Sequence, residues 1–428
     1  MTNKMDNENS LLLNKHILIY VEEQIKKLEL YNNSEFEYIT KNFCGIVMNN
    51  IESFNNHTIE PNTLVYLCGN IEDNLKLMKL RYSISIFAID GLSTNFEYTS
   101  KKYQVITTGG IPLNVYGVGI FFRNFFAYDK NYFNSIQDEH KFQSLTESNK
   151  PGNAFRTGIY LTNVKKQDNE TKFKLLRCSS NLNGPTDNFR ATDMEIINQV
   201  NNVCEYFFKE KAKLNHVLAQ IYENKTVINN DKTKEKKATI KRHSDKTKDM
   251  PQNGLMAFCT FYKDYINGKF YNDELKHITK STTDLFDYCY NNVSVLTKLR
   301  FELKSMVNDK SLVKKFDISL YPNSVFIMPL STNRMYTHEI KPSGLSIQNL
   351  PTRLGYVIRC SKTDAVYKNG NTYIIDKDGS YIKMEQPDHE GIQRLKGLYY
   401  KENVTNELIN YDKFYFSLNS GDYLEPII

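Results

Sequence analysis

The sequence predicts an α+β protein, in which a small α/β region precedes a β-rich core that carries helices. Two observations lead to this prediction. In the first 110 residues, short apolar runs alternate with segments of helical periodicity. Beyond Gly109-Gly110, strand-like runs dominate, and residues 192–218 show the one strong helical period. Helices packed on a β core fit this order of elements.

The N-terminal region, residues 1–110, is predicted to contain both helices and strands. Residues 11–30 have apolar side chains at helical spacing after a candidate N-cap at Ser10, which predicts an amphipathic surface helix. Residues 71–80 predict a second helix. Short apolar runs predict strands at residues 44–48, 64–68 and 84–89. We expect an accessory α/β region here, which could bind a protein partner.

The strands of the core are predicted from runs rich in β-branched and aromatic residues. These runs are residues 115–122, 158–162, 255–262, 299–303, 324–328 and 353–359. A short helix is also predicted near residues 283–290. Further along, Asn369-Gly370 and Asp378-Gly379 lie between Tyr- and Ile-rich runs, which is a pattern typical of consecutive hairpins. Residues 376–428 are therefore predicted to form a C-terminal β extension.

Composition argues against several classes of protein. The seven cysteines are odd in number, scattered and never spaced as CxxC, so neither a disulfide framework nor a cysteine zinc site is indicated. After the polar residues 1–10, an apolar run is interrupted by Asn14, Lys15 and His16 before it reaches the length of a signal peptide or membrane span. We expect a soluble intracellular protein, cytoplasmic or nuclear, with no membrane association.

Positive charge is concentrated in one segment. The net charge of +6 is only mildly basic, but residues 225–242 contain six lysines and Arg242 against Asp231 and Glu235. This segment is predicted to be an exposed basic loop, and Lys246 and Lys248 follow it closely. These cations could hold phosphates of DNA or RNA. They could equally be a solvated surface loop without a partner.

Three residues have the chemistry of a metal site. On an extended strand, His243 and Asp245 would point to one face and present an imidazole and a carboxylate to the same ion. His338, from a second strand, would complete a triad of two histidines and one carboxylate. That triad suits Fe(II) and leaves coordination positions open for a chelating cosubstrate and dioxygen. Taken alone, a His-x-Asp sequence also arises by chance, and a single histidine is more often structural.

Two arginines strengthen the metal interpretation. Arg353 and Arg359 are an even number of residues apart in an otherwise apolar strand, so both would lie on one face of a segment that favours burial. Buried arginines need anionic partners. A dicarboxylate cosubstrate would provide one, because a guanidinium can bind a carboxylate through two hydrogen bonds.

Residues 214–360 resemble the AlkB-like Fe(II)/2-oxoglutarate dioxygenases, whose pattern is HxD, a distal His and then R-x-N-x-x-x-R. The run LNHVLAQIY at residues 214–222 is similar to the family's strand before the HxD, with Gln220 and Tyr222 at positions that contact the cosubstrate. LRFEL at 299–303 and YPNSVFIM at 321–328 are similar to two further family strands. The sequence departs from the pattern at Gly355, which replaces Asn, and in the long interval between Tyr222 and His243.

The resemblance implies a double-stranded β-helix, or jelly roll, over residues 111–375, with flanking helices. It implies that Arg353 binds the distal carboxylate of 2-oxoglutarate and that Arg359 lies near the iron-bound end. The implied reaction uses Fe(II), 2-oxoglutarate and O2, and yields succinate, carbon dioxide and a hydroxylated C–H bond.

The implied substrate is a nucleic-acid base, which would be hydroxylated or oxidatively demethylated. Arg156, Arg242 and Lys246 are candidates for contacting it. A protein, peptide or small-molecule hydroxylase is the alternative, because the same iron site serves all of these. A binding module without turnover is a third possibility, against which the presence of all three ligands and both arginines argues.

Overall fold

The structure is a computed structural model that describes residues 11–26, 28, 33–80, 84–147, 150–229, 232–411 and 413–428. The chain divides into two compact units. The first extends to Phe126 and includes Asn202–Glu210, and the second comprises Ala127–Asn201 and Lys211–Ile428. Both helices and many antiparallel strands are present, so the predicted α+β class is confirmed. None of the helices in the described ranges is long and apolar enough to cross a bilayer.

The first unit contains a parallel sheet with strand order β2-β1-β3-β4-β5. Its strands are β1 (His16–Ile19), β2 (Ile46–Met48), β3 (Thr63–Asn70), β4 (Ile84–Thr94) and β5 (Gln104–Thr107), followed by a hairpin of β6 (Leu113–Val115) and β7 (Gly119–Phe122). Its helices are α1 (Glu22–Lys26), α2 (Asn33–Asn42), α3 (Ile51–Asn56) and α4 (Ile71–Leu77). Two clusters of apolar side chains form its core, and they divide alternate residues of β1 and β3 between them.

The helix predicted over residues 11–30 is present only as the short α1 at Glu22–Lys26, and its predicted N-cap, Ser10, lies outside the described residues. His16–Ile19 form strand β1 instead, and Ile17, Leu18 and Ile19 are fully buried between β2 and β3. A strand covered on both faces is apolar at successive positions, so its spacing can imitate a helical stripe. The helix predicted at 71–80 and the strands at 44–48, 64–68 and 84–89 are confirmed as α4, β2, β3 and β4.

The second unit is built mainly from antiparallel strands. Its strands up to residue 262 are β8 (Gln143–Glu147), β9 (Lys150–Thr162), β10 (Lys165–Gln167), β11 (Glu170–Leu175), β12 (Ser180–Leu182), β13 (Asp187–Asn188), β14 (His216–Tyr222), β15 (Lys225–Asn229), β16 (Lys232–Lys236), β17 (Ile240–His243) and β18 (Leu255–Tyr262). The remaining strands are β19 (Tyr265–Ile266), β20 (Lys269–Phe270), β21 (Thr279–Lys280), β22 (Tyr288–Tyr290), β23 (Val293–Ser294), β24 (Lys298–Leu303), β25 (Lys315–Ser319), β26 (Ser324–Pro329), β27 (Tyr336–Lys341), β28 (Arg353–Arg359), β29 (Thr363–Lys368), β30 (Asn371–Ile375) and β31 (Tyr381–Lys383).

Four α-helices accompany these strands in the described ranges. They are α5 (Tyr132–Glu139), α6 (Ala191–Phe207), whose last turns belong to the first unit, α7 (Leu330–Met335) and α8 (His389–Val404). Single 3₁₀ turns occur at Leu13–Lys15, Thr108–Gly110, Asp273–Leu275, Ile347–Asn349 and Ser420–Tyr423. Helix α8 begins at an N-cap, Asp388, whose carboxylate accepts a hydrogen bond from the Gly391 amide.

Two antiparallel sheets of the second unit surround the candidate site. The larger has the order β12-β8-β9-β14-β28-β18-β26, and the smaller has the order β17-β27-β24-β25. A third sheet, β10-β11-β29-β30-β31, includes the two hairpins predicted at Asn369-Gly370 and Asp378-Gly379. Strand β28 lies between β14 and β18, so Arg353 is paired with Tyr222 on one side and with Tyr262 on the other.

Other local predictions differ from the structure. Residues 288–290 form strand β22 rather than part of a helix, because they pair with β21 and β23. The predicted basic loop at 225–242 forms the hairpin β15–β16 and then β17. Helix α6 ends at Phe207, and β14 begins within the segment that was predicted to be helical. The C-terminal segment contains β31 but also the 16-residue helix α8, which was not predicted.

Candidate metal centre and its cavity

A cavity of about 540 Å³ lies between the larger and smaller sheets of the second unit. Side chains from β14, β18 and β28 line it on one side, and side chains from β17, β24 and β27 line it on the other, with helix α8 completing the wall. Among the charged residues of the described lining, cations predominate: Arg156, Lys241, Arg242, Lys246, Arg353, Arg359 and Lys396. The carboxylate among these lining residues is Asp245. The cavity is therefore suited to anionic ligands.

The three predicted metal ligands meet at this cavity. His243 ends β17 and pairs across the sheet with His338 of β27, and their ring centres are 4.5 Å apart. Asp245 follows β17 by two residues, and its Oδ1 lies 3.3 Å from His243 Nε2 and 3.7 Å from His338 Nε2. One ligand atom from each of the three residues lies within 4.8 Å of the others. This spacing fits a single ion bound at one face of all three side chains.

The protonation states of the triad also suit a metal. His243 Nδ1 is 2.8 Å from the Lys241 carbonyl, which can only accept, so Nδ1 donates there and Nε2 is the nitrogen that faces Asp245 and could bind an ion. Burial, together with the neighbouring His243, lowers the pKa of His338 to about 3, so its imidazole is neutral at pH 7. Burial opposes ionisation of Asp245, but Arg359 and the two histidines hold its pKa well below the usual range.

A buried amide holds the backbone of Asp245 in place. Asn333 of α7 accepts a hydrogen bond from the Asp245 amide and donates one to the Asp245 carbonyl, both at 2.9 Å. The adjacent Ser244 donates its hydroxyl to the Tyr336 carbonyl. Asn333 was not among the residues predicted from the sequence, because its role depends on a tertiary contact 88 residues away along the chain. Supporting hydrogen bonds of this kind fix the direction of a metal ligand.

Arg359 provides the counter-charge to the triad. Its Nη2 lies 2.6 Å from Asp245 Oδ2, and Nη1 lies 3.7 Å from the Cys178 sulfur. Both partners of the ion pair are at least nine-tenths buried. Arg359 is therefore engaged by the protein itself, beside the candidate metal position.

Arg353, in contrast, is buried with unused donors. Its guanidinium carbon lies 3.9 Å from the centre of the Tyr222 ring, and only 4% of the residue is exposed. Nε and Nη2 have no hydrogen-bond partner among the described residues. Arg353 also borders a second cavity of about 20 Å³, which is large enough for one water molecule. A buried guanidinium of this kind favours an anion in the main cavity.

Gly355 explains how the arginine is accommodated. A Cβ atom at this position would lie 2.9 Å from Arg353 Nη1 and 3.2 Å from the Tyr222 ring. The space that a side chain would fill at Gly355 is therefore occupied by the stacked pair of Arg353 and Tyr222. Gln220, two residues before Tyr222, accepts a hydrogen bond from its hydroxyl at 3.4 Å. All four residues line the main cavity, as the even spacing along β14 and β28 predicts.

The three residues predicted to contact a substrate have different environments. Arg156 and Arg242 both line the cavity, and Arg242 is half-exposed and forms an ion pair with Glu302. Lys246 is buried, and its ammonium donates to the Ser244 and Tyr399 carbonyls and to Asn403 Oδ1. Since an ammonium has three donors, Lys246 has none left for a substrate phosphate. Lys248, the other cation predicted as able to hold a phosphate, is buried as well.

A second group of metal-compatible side chains, Glu139, His140 and Asp193, lies elsewhere in the same unit. His140 contacts Asp187 through Nδ1 at 2.8 Å and Asp193 through Nε2 at 2.7 Å. Burial opposes protonation of His140, but the two carboxylates outweigh it and raise the pKa to about 9. With both ring nitrogens protonated, His140 has no lone pair for an ion, so we interpret this group as structural. This group holds β28 on the side away from the cavity, because the hydroxyl of Tyr356, on β28, donates a hydrogen bond to Asp193.

No protein-family model matches this chain, and neither does any curated protein. The function must therefore be argued from the site alone.

Proposed function

We propose that this protein is an Fe(II)- and 2-oxoglutarate-dependent oxygenase of the AlkB-like type. The observation that carries the proposal is the convergence, in one cavity, of a two-histidine, one-carboxylate triad with a buried arginine whose donors are unused. Either feature alone has ordinary structural explanations. Together they match the two needs of this chemistry, which are an open iron site and an anchor for the cosubstrate.

Strand order supports a jelly-roll fold for the core. Eight strands can be numbered one to eight in chain order: β14, β17, β18, β24, β25, β26, β27 and β28. The larger sheet then contains the order 1-8-3-6, and the smaller sheet has the order 2-7-4-5. Two four-stranded sheets that exchange strands in this way are the arrangement of a double-stranded β-helix. In this interpretation the HxD follows strand two, and His338 lies on strand seven.

The residues of the chain have distinct parts in the proposed reaction. His243, Asp245 and His338 would hold the iron, and Arg353 would bind the distal carboxylate of 2-oxoglutarate beside Tyr222. Bound there, Fe(II) with the cosubstrate and dioxygen would supply oxidative decarboxylation coupled to hydroxylation of a C–H bond. Arg359 neutralises Asp245, and strands of two sheets enclose the site on two sides.

Anaerobic titration tests this proposal. Adding Fe(II) and then 2-oxoglutarate to metal-free protein should produce the visible charge-transfer band of the chelate, and His243→Ala should abolish the band because the triad loses a ligand. His57→Ala, at a partly exposed histidine of the first unit, is the matched control and should behave as the wild type. A folded wild-type protein that gives no band would refute the proposed cofactor chemistry.

We further propose that the substrate is a nucleic-acid base. Besides the cations of the cavity, hairpin β15–β16 places Lys225 directly opposite Lys236, with Lys234 on the same face. Like charges directly opposite each other are destabilising without an anion. An ion pair between Glu223 and Lys225 offsets part of this repulsion. The ammonium of Lys236 also lies over the Phe155 ring, in a cation–π contact. The hairpin joins Tyr222 to β17, so this charged face connects two cavity-lining strands.

Replacing Lys225, Lys234 and Lys236 together by glutamine should weaken binding of single- or double-stranded oligonucleotides and flatten its salt dependence. Each phosphate contact contributes about 0.9 to the slope of log K against log salt for duplex DNA, so three lost contacts should reduce the slope by about 2–3. Fluorescence anisotropy at several salt concentrations measures this. Glutamine at the exposed Lys166, Lys276 and Lys310 is the control with the same change in net charge. Equal slopes for the two triple variants would contradict the proposal and favour a protein or small-molecule substrate.

A further inference from the structure

Helix α8 contacts the segment that carries the HxD aspartate. Asn403, one residue before the end of α8, accepts two hydrogen bonds through the same oxygen, Oδ1. One comes from the Ser244 amide at 2.8 Å and the other from the Lys246 ammonium at 2.7 Å. Lys246 in turn donates to the Ser244 carbonyl at 2.9 Å and to the Tyr399 carbonyl of α8 at 3.2 Å. The residues on both sides of Asp245 are thus bound to one side chain of the helix.

A second contact extends this interface. Glu402, the neighbour of Asn403, accepts hydrogen bonds from the amide and the hydroxyl of Thr247. Lys304, at the other side of the helix end, donates to the carbonyls of Glu402 and Thr405 at 2.7 and 3.0 Å. These hydrogen bonds to the last carbonyls cap the C-terminal end of the helix and fix its position.

These contacts matter because residues 244–247 belong to neither a helix nor a strand. Their buried backbone amides have no partner in a regular ladder and must find acceptors elsewhere. The Ser244 amide uses Asn403, the Asp245 amide uses Asn333, and the Thr247 amide uses Glu402. Two of the three acceptors come from α8, so the position of a metal ligand depends on a helix more than 150 residues away along the chain.

From these contacts we infer that Asn403 is a positioning residue for the metal site, which it sets through Ser244 and Lys246. This inference rests on the proposed function. Asn403 itself touches neither of the histidines nor the Asp245 carboxylate by any described hydrogen bond. Its oxygen holds the loop in the conformation that places Asp245 between the two histidines. The essential property is an acceptor at this point, so an aspartate should substitute for the asparagine.

Cobalt binding to the metal-free full-length protein tests the inference. Asn403→Leu should lower the affinity for Co(II) by about 10–100-fold, the usual effect of losing an outer hydrogen bond to a metal ligand. It should also speed amide hydrogen exchange in peptides covering residues 243–249, measured without metal. Asn403→Asp should keep the affinity within a few-fold of the wild type. Gln393→Leu, an amide-to-leucine change at an exposed position of the same helix, should leave both measurements unchanged.

Unchanged cobalt affinity in a folded Asn403→Leu protein would overturn the inference while leaving the proposed function standing. Failure of Asn403→Asp to restore the affinity would overturn it too, since an acceptor would then not be what matters. If the leucine variant does not fold, Asn403→Gln keeps the amide but displaces its oxygen, and the same loss is expected. Absence of cobalt binding by the wild type would instead refute the proposed function.

Discussion

Arg353→Met should weaken binding of 2-oxoglutarate by roughly 30-fold to several-thousand-fold. Removing one partner of a buried, hydrogen-bonded charge pair costs about 2–5 kcal/mol, and each 1.4 kcal/mol corresponds to a factor of about ten in the dissociation constant. We expect the loss of affinity to lie toward the upper end of this range, because Arg353 is only 4% exposed and two of its donors are free to bind a carboxylate. Methionine keeps much of the apolar length of the side chain, so Tyr222 retains a neighbour.

The measurement is anaerobic titration of the Fe(II)-loaded variant with 2-oxoglutarate, followed by the charge-transfer band. The affinity for Fe(II) itself should change little, because Arg353 does not contact the triad by any described hydrogen bond or ion pair. Arg300→Met, which removes a partly exposed arginine that pairs with Asp317 and does not line the cavity, is the matched control. If Arg353→Met and Arg300→Met bind the cosubstrate equally well, the donors of Arg353 serve another purpose, such as holding water in the small adjoining cavity.

Asp245→Asn should abolish metal binding and destabilise the metal-free protein. The variant removes the anionic ligand of the triad and leaves Arg359 buried without its counter-ion. Leaving one charge of a buried pair uncompensated typically costs about 3–5 kcal/mol of unfolding free energy. The double variant Asp245→Asn/Arg359→Met should recover most of that stability, because replacing both charges removes the unpaired one. It should not recover metal binding.

Urea unfolding of the metal-free proteins and cobalt titration separate the two effects. Asp422→Asn is the control, because Asp422 is equally buried but lies outside the cavity lining and is held by Ser417 and Asn419. It should leave the affinity for cobalt near that of the wild type. Metal binding retained by folded Asp245→Asn would show that the carboxylate is not a ligand. If the double variant is no more stable than Asp245→Asn, the Asp245–Arg359 ion pair does not contribute the expected unfolding free energy.

The cavity combines two kinds of cation that these experiments distinguish. Arg359 and Lys246 are already engaged by the protein, the first by Asp245 and the second by three oxygen acceptors. They stabilise the site before any ligand arrives. Arg353, in contrast, has unused donors that an anionic ligand could accept. Removing an engaged cation should therefore affect folding and metal affinity, whereas removing Arg353 should affect binding of the cosubstrate.

Much of the site follows from short-range sequence rules. The alternation of side chains along an extended chain predicted that Arg353 and Arg359 share a face, and strand β28 has the predicted bounds. The strand at 255–262 was also predicted with the bounds that β18 has, because a long run of apolar and aromatic residues is hard to accommodate outside a buried sheet. The His-x-Asp spacing brings His243 and Asp245 to one side for the same geometrical reason.

What the tertiary structure alone decided is everything that depends on partners distant along the chain. Burial between β2 and β3 made His16–Ile19 a strand, although their own spacing favoured a helix. Buried oxygen acceptors made Lys246 a structural residue, although its position beside the HxD suggested a substrate contact. Asn333 and Asn403 support the triad from helices with no sequence signal for that role. Local spacing fixes which way a side chain points, but the free energy of burying a polar group depends on which acceptor the fold brings to it.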